Sequence, residues 1–363
     1  MTRHHALKKS IALITIVGTV GVGSQAAAST LTQNVSWTID RAGTTAKYRI
    51  AAYGDSIYAG YNGSTTSAAK NAATTVDAEY LSALWNSDIE NVRRCKSGAV
   101  ASDIYNNKIV SERSYMQSTN TRVVTFEMCG NDGLQARSSF KGQTGTCNYG
   151  VMDTALNNCS TYLNSAMSYI NANAYSGTKL KVVANLHYPG YNADNVLSGC
   201  TDATTGQKVN MRDKFLPYIA KMNWRACDKA NTYGFKCVDN FAQYMGADYD
   251  SNGDGQIDSA ALAYVVGESE AAYVTRITST LKSTLRDANT HFVSSTASYD
   301  YIQSDDTHPT YNGGTVTAGL FGGTTGTGAA RYTSFTGGKN PIWNQYGHER
   351  MGWSLSTWNP ATP

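Results

Sequence analysis

Between about residues 48 and 241, short apolar runs of strand type alternate with longer stretches of helical period, and this alternation restricts the fold of the 363-residue chain more than any other feature. Strands are expected at 48–53, 91–96, 122–128, 180–186 and 235–241, each short and rich in Val, Ile, Tyr or Phe. Helices are expected near 68–86, 101–117, 150–172 and 211–232, the last with Phe215, Ile219, Met222 and Ala226 recurring at intervals of three and four. Strands joined by crossover helices form a parallel sheet, and such a sheet needs both faces covered. The expected architecture is α/β, in three layers.

Sites in such sheets form outside the carboxyl ends of the strands, so the residues that follow each strand matter most. The first strand runs into Gly54-Asp55-Ser56, the second into Ser97-Gly98-Ala99, and the third into Cys129-Gly130-Asn131-Asp132. His187-Tyr188-Pro189-Gly190 follows the fourth. Small, polar and reactive residues therefore gather on one edge. Beyond residue 241 the pattern breaks. Residues 248–290 read as an insertion with one or two helices. Residues 311–341, rich in Gly and Thr, read as a hairpin or long loop before a last helix at 344–354.

The amino terminus carries Arg3, Lys8 and Lys9, then the apolar run Ile11 to Val17, then Ala26-Ala27-Ala28. That order is the one of a secretory signal peptide over 1–28, which leaves 29–363 as a single elaborated domain. Its apolar run is too short to span a bilayer, and no later stretch reaches the roughly 20 apolar residues needed, so no stable membrane insertion is expected. Without the three basic residues, 27 of the 30 Lys+Arg remain against 27 Asp+Glu. A balanced charge offers no footing for nucleic acid or an anionic membrane surface. The expected location is extracellular or periplasmic.

Seven cysteines in a chain bound for an oxidising compartment imply up to three disulfides and one thiol. Cys147 with Cys159 would clip a loop to the helix that follows it. Cys95 and Cys129 both end expected strands and could face each other. Cys227, at a helix end, could meet Cys237 on the next strand. Cys200 is then left over.

A serine hydroxyl is a poor nucleophile unless a base takes its proton, and the base needs a partner to fix its tautomer. Of the six histidines, His4 and His5 lie in the signal peptide, leaving His187, His291, His308 and His348. Only His308, in "SDDTHPT", has a carboxylate three residues upstream, Asp305. His348 is expected on a helix surface or in a stacking contact, and His187 to pack at a strand end.

Gly54-Asp55-Ser56, Ser97-Gly98, Gly130-Asn131-Asp132 and Asp305-x-x-His308-Pro309 resemble, in order and context, the four blocks of the SGNH (GDSL-type) hydrolases. The resemblance covers about residues 46–241 and 300–310. It implies a flavodoxin-like three-layer fold with Ser56 as nucleophile, His308 as general base and Asp305 as its orienting acid. It also implies an oxyanion hole made by the backbone N–H groups of Ser56 and Gly98 and the side-chain amide of Asn131. The family's third block usually begins with Gly, and here Cys129 stands in that place. The "HYPG" after the fourth strand looks similar to secreted lipase and phospholipase members of the family.

A second motif is independent of these blocks. "DSNGDGQID" places Asp250, Asn252, Asp254, the Gln256 carbonyl and Asp258 as in an EF-hand-type loop. Ala261 stands where the bidentate Glu belongs, so the missing carboxylate would come from Asp248 or Glu268. Any calcium would be structural, and catalysis would need no cofactor. The expected activity is hydrolysis of carboxylic esters, with a small-molecule or lipid ester as substrate. A carbohydrate O-acetylesterase acting on acetylated polysaccharide is the close alternative, and a non-catalytic, calcium-stabilised binding module the more distant one.

Overall fold

Residues Ile50 to Tyr53 are buried on both faces of the strand they form, as a central parallel strand requires. The computed structural model describes residues 32–41, 43–191, 193–245, 262–282, 301–312, 314–317, 323–326 and 346–363. Its strands are β1 (Thr32–Asp40), β2 (Lys47–Gly54), β3 (Ser67–Ala69), β4 (Asp88–Lys96), β5 (Thr121–Glu127), β6 (Leu180–Ala184), β7 (Leu197–Thr201), β8 (Lys208–Asn210), β9 (Lys236–Val238), β10 (Thr315–Thr317) and β11 (Gly323–Gly326). The helices are α1 (Ser56–Ala59), α2 (Ala73–Trp85), α3 (Ala101–Asp103), α4 (Ser114–Gln117), α5 (Gly130–Lys141), α6 (Gly150–Asn173), α7 (Met211–Tyr233), α8 (Asn240–Met245), α9 (Glu270–Lys282) and α10 (Gly347–Ser356), with a π-helical stretch, Ile104–Val110, between α3 and α4.

The main sheet has seven strands in the order β11-β1-β4-β2-β5-β6-β9. Five consecutive strands, β4-β2-β5-β6-β9, are parallel and carry the doubly wound order in which the first strand lies between the second and third. Alternation along the strands sorts the core into two faces. Ala51, Tyr53, Val124, Phe126 and Val183 pack with α5, α6 and α7. Ile50, Ala52, Val123, Val182 and Ala184 pack with α1, α2 and α10. The expected three-layer α/β fold is the one observed. Among the described residues, no helix is long and apolar enough to cross a membrane.

Several local expectations need correction. The sheet is mixed, because β1 joins it antiparallel to β4. The stretch expected to turn helical at 68 first forms β3, and the helix begins at Ala73. Helix α5 follows directly on the third strand, where only a loop was foreseen. The described parts of 311–341 do not pair with each other as a hairpin. Instead β10 pairs with β3, and β11 extends the main sheet beside β1. The expected signal peptide, 1–28, and the expected calcium ligands Asp250, Asn252, Asp254, Gln256 and Asp258 lie outside the described residues. Glu268, considered as a further ligand, is paired with Arg276.

The disulfides are Cys129–Cys159, Cys147–Cys200 and Cys227–Cys237. Only the last was expected. Cys95 cannot reach Cys129 because β2 stands between β4 and β5, and two strand spacings come to about 10 Å, beyond the roughly 7 Å Cα separation a disulfide tolerates. Cys95 is a buried free thiol. Cys159 lies well inside α6, about 13 Å along the axis from its start at ~1.5 Å per residue. It is therefore out of reach of Cys147, which precedes the helix, and meets Cys129 on the neighbouring α5 end. Cys147 pairs instead with Cys200 on β7, to which its own backbone is already hydrogen-bonded through Thr201.

Candidate active site

Strand β2 ends at Gly54, and the chain turns at once into the single-turn helix α1, whose first residue is Ser56. Asp55 caps that turn, its Oδ1 accepting from the Ile57 N–H at 2.9 Å. A capping carboxylate at this point orients the turn and leaves the Ser56 N–H without an intrahelical partner. In the second block, Gly98 adopts φ +76, the left-handed conformation that glycine takes at little cost. Among the described residues, the N–H groups of Ser56 and Gly98 make no hydrogen bond.

The third block is drawn onto the first two by Asn131. Its side-chain amide donates to Asp55 Oδ2 at 2.9 Å and to the Ala99 carbonyl at 3.1 Å. Asp132 Oδ2 accepts from the Ala101 N–H at 2.8 Å, tying the start of α5 to the start of α3. Burial lifts the Asp132 carboxyl to a pKa of about 6. Cys129 has φ +85, a conformation costly for any residue with a Cβ. It occupies the place where the resembling family carries Gly, and the bridge to Cys159 holds it there.

The fourth block closes the site. His308 Nε2 lies 2.8 Å from Ser56 Oγ, and His308 Nδ1 lies 2.6 Å from Asp305 Oδ2. The other oxygen of Asp305 accepts from the N–H groups of Thr307 and His308 at 3.0 and 2.9 Å. Burial pushes the Asp305 carboxyl up, but the hydrogen bond and charge of His308 and the two backbone N–H groups outweigh it and bring the pKa down to about 2. An ionised Asp305 fixes the proton on Nδ1 and leaves Nε2 free to accept from the serine. Asp306, the next residue, points away: its Oδ2 accepts from the Ala193 N–H.

Four residues that support this arrangement escaped the sequence reading in that role. His187 Nε2 donates to the Thr307 carbonyl at 2.7 Å, bracing the turn that carries His308. The same loop adds Gly190 N–H to the Asp306 carbonyl at 2.6 Å. Gln303 Nε2 donates to the carbonyls of Tyr61 and Pro309, and its backbone N–H to that of His308, so it joins the base turn to the segment after α1. The Tyr61 ring lies 4.5 Å from the imidazole of His308. A lone Gln or Tyr carries no sequence signal.

Glu127 does carry one, as a carboxylate ending the doubly buried run Val123 to Phe126. Its Oε1 accepts from the Asp55 N–H at 2.6 Å, while Oε2 is buried without a partner. A Cβ on Gly54 would stand 2.3 Å from Oε1, so the glycine makes room for this carboxyl. Burial, then the neighbouring Asp55 charge, raises Glu127 well above the carboxylate range. Asp55 receives two donors and Glu127 Oε2 none, so Glu127 is the member of the pair that keeps its proton.

His348, expected on a surface, is fully buried against α2. A groove of about 590 Å³ runs between α3, α5 and α6, lined by polar residues such as Ser102, Asp132 and Gln135 and by apolar ones such as Val100, Ala136 and Val151.

No family model and no curated protein matches the sequence. Among solved structures the chain is similar to a lipase from a goat rumen metagenome, at 17% identity over 65% of this chain and 96% of that one, with a TM-score of 0.41. It is similar to phospholipase A1 from Streptomyces albidoflavus, at 18% identity over 64% and 98% with a TM-score of 0.37. An acetylxylan esterase from Geobacillus stearothermophilus is similar at 16% identity over 67% and 95%, with a TM-score of 0.35.

Proposed function

We propose that this protein is a serine esterase that hydrolyses carboxylic esters through an acyl-enzyme. The observation that carries the reading is the unbroken hydrogen-bonded series Ser56 Oγ, His308, Asp305, at 2.8 and 2.6 Å. Ser56 Oγ attacks the ester carbonyl while His308 Nε2 takes its proton, and Asp305 stabilises the imidazolium that results. The carbonyl oxygen becomes an oxyanion facing the unpaired N–H groups of Ser56 and Gly98, with Asn131 beside them. Collapse of the tetrahedral intermediate expels the alcohol, which receives the proton from His308. Water then attacks the acyl-serine by the same route, releasing the acid and restoring Ser56.

Acyl or lipid esters are the leading substrate class. O-deacetylation of carbohydrate, the same chemistry with a polyhydroxylated leaving group, is the alternative substrate class. Hydrolysis of p-nitrophenyl acetate, with Ser56→Ala as control, tests the chemistry. The variant should fold and lose at least about three orders of magnitude in rate. Near-wild-type turnover by Ser56→Ala would overturn the assignment. A series from acetate to palmitate esters run beside acetylated xylan separates the two substrate classes.

A further inference from the structure

Behind the nucleophile turn lies a corner rich in buried donors that the esterase chemistry does not use. Arg93, on β4, is completely buried. Its Nη1 donates to the carbonyls of Ala59, at the end of α1, and Ala69, on β3, at 3.0 and 2.9 Å. Nε and Nη2 are buried with no partner. Among the described residues Arg93 has no ion pair. A guanidinium cannot shed its charge by deprotonation, and an isolated buried charge is among the costliest features a core can contain.

Two further groups meet the same stretch of chain. Helix α2 starts at Ala73 with Ala72 before it and no side-chain cap. The Ala73 N–H donates to His348 Nδ1 at 3.3 Å, which places the imidazole proton on Nε2, and that atom is also buried without a partner. His348 is kept neutral, first by burial and then by the Arg93 charge, with a pKa of about 3. Packing around the corner is close: a Cβ on Gly60 would lie 2.9 Å from Ala72 Cβ and 3.1 Å from Arg93 Nη1. The corner therefore joins one uncompensated positive charge, three unpaired donor atoms and the positive end of a 13-residue helix.

We propose that this corner binds a small inorganic anion of the halide class, held by Arg93 Nε and Nη2, His348 Nε2 and the start of α2. One monovalent anion balances the one charge. The enclosure, with Ala69, Ala72, Ala73, Arg93 and His348 all fully buried, favours a monatomic ion over a carboxylate or phosphate. Bound there, it would fasten the segment from Ala59 to Ala73 behind the nucleophile helix.

The test uses the full chain dialysed into gluconate and titrated with chloride at constant ionic strength. A saturable upward shift in melting temperature is expected, and Arg93→Met should remove it. Crystals of the unaltered protein grown in bromide should show an anomalous peak between Arg93 and His348, which decides the matter even if the variant does not fold. A chloride-independent melting temperature, or an ordered water there donating to the unpaired Asn91 Oδ1 with no bromide signal, would overturn the proposal.

Discussion

The side-chain amide of Asn131 is bonded to the carboxylate of Asp55 at 2.9 Å, which fastens the third block to the residue just before the nucleophile. Its second amide hydrogen goes to the Ala99 carbonyl. To serve the oxyanion of the proposed mechanism, Asn131 would have to exchange one of these bonds as substrate arrives, which would link position and catalysis in it. Asn131→Ala should lower kcat by about 10²-fold, the usual loss for one oxyanion donor, and also lower the melting temperature. A variant with reduced stability but unchanged kcat, assayed well below its melting point, would leave Asn131 as a tether alone.

Asp305 provides a prediction in pH. Its folded pKa, brought to about 2 by His308 and two backbone N–H groups against the opposing effect of burial, lies below the roughly 3.9 of an unfolded chain. A depressed carboxyl contributes stability that is present above about pH 4 and is lost as pH falls through about 2. Asp305→Asn should therefore be less stable than the parent at pH 5, and the two melting curves should converge toward pH 2. The same variant should lose about 10⁴-fold in kcat at neutral pH, because an amide cannot stabilise the imidazolium.

Strands β2, β5 and β6 were legible because both faces of their inner residues are buried, which leaves a nearly continuous apolar run. The first three blocks were legible because each directly follows a strand, and the fourth by the Asp305-x-x-His308 spacing alone. Strand β1 has no such run: Val35, Trp37 and Ile39 alternate with Asn34, Ser36 and Thr38, the period-two pattern of a strand rather than the continuous one of a doubly buried strand. Three-residue strands such as β3 and β10 are too short to show a period. Disulfide partners depend on strand order: nothing in the spacing of Cys95 and Cys129 reveals that β2 lies between them. The supports from His187 and Gln303 are single hydrogen bonds across 120 and 242 residues of sequence, and no local pattern encodes them.

Asp77, on α2, holds the carboxyl-terminal tail by accepting from Asn359 Nδ2 at 2.7 Å. Complete burial raises its pKa to about 7, with the Asn359 bond acting in the opposite direction. A raised carboxyl favours the fold below about pH 4, and this contribution is lost as pH rises through about 7. Asp77→Asn keeps an acceptor for Asn359 without the charge. It should match the parent below about pH 4, pull ahead as pH rises from there, and melt highest relative to it at pH 8. Equal melting temperatures at pH 8 would mean that Asp77 is ionised in the fold without penalty.

Glu127 accepts from the Asp55 N–H, one residue before Ser56, and its neutrality can be tested by substitution. Glu127→Gln retains an oxygen for the Asp55 N–H while removing the possibility of charge, so near-parental kcat and stability are expected at pH 7. Glu127→Ala leaves that buried N–H without an acceptor, which costs about 1–3 kcal/mol, and frees the turn that aims Ser56. Its kcat should fall while KM changes little. Gly54→Ala should be damaging in the parent, because the new Cβ would meet Glu127 Oε1 at 2.3 Å. The same substitution should cost much less in the Glu127→Ala background, where the obstructing carboxyl is gone. Coupling of that sign in a double-mutant cycle is the signature of direct contact. Strictly additive losses would mean that Gly54 does not make room for the Glu127 carboxyl, and a Glu127→Gln enzyme as impaired as Glu127→Ala would show that a charged Glu127 and not its acceptor oxygen supports the turn.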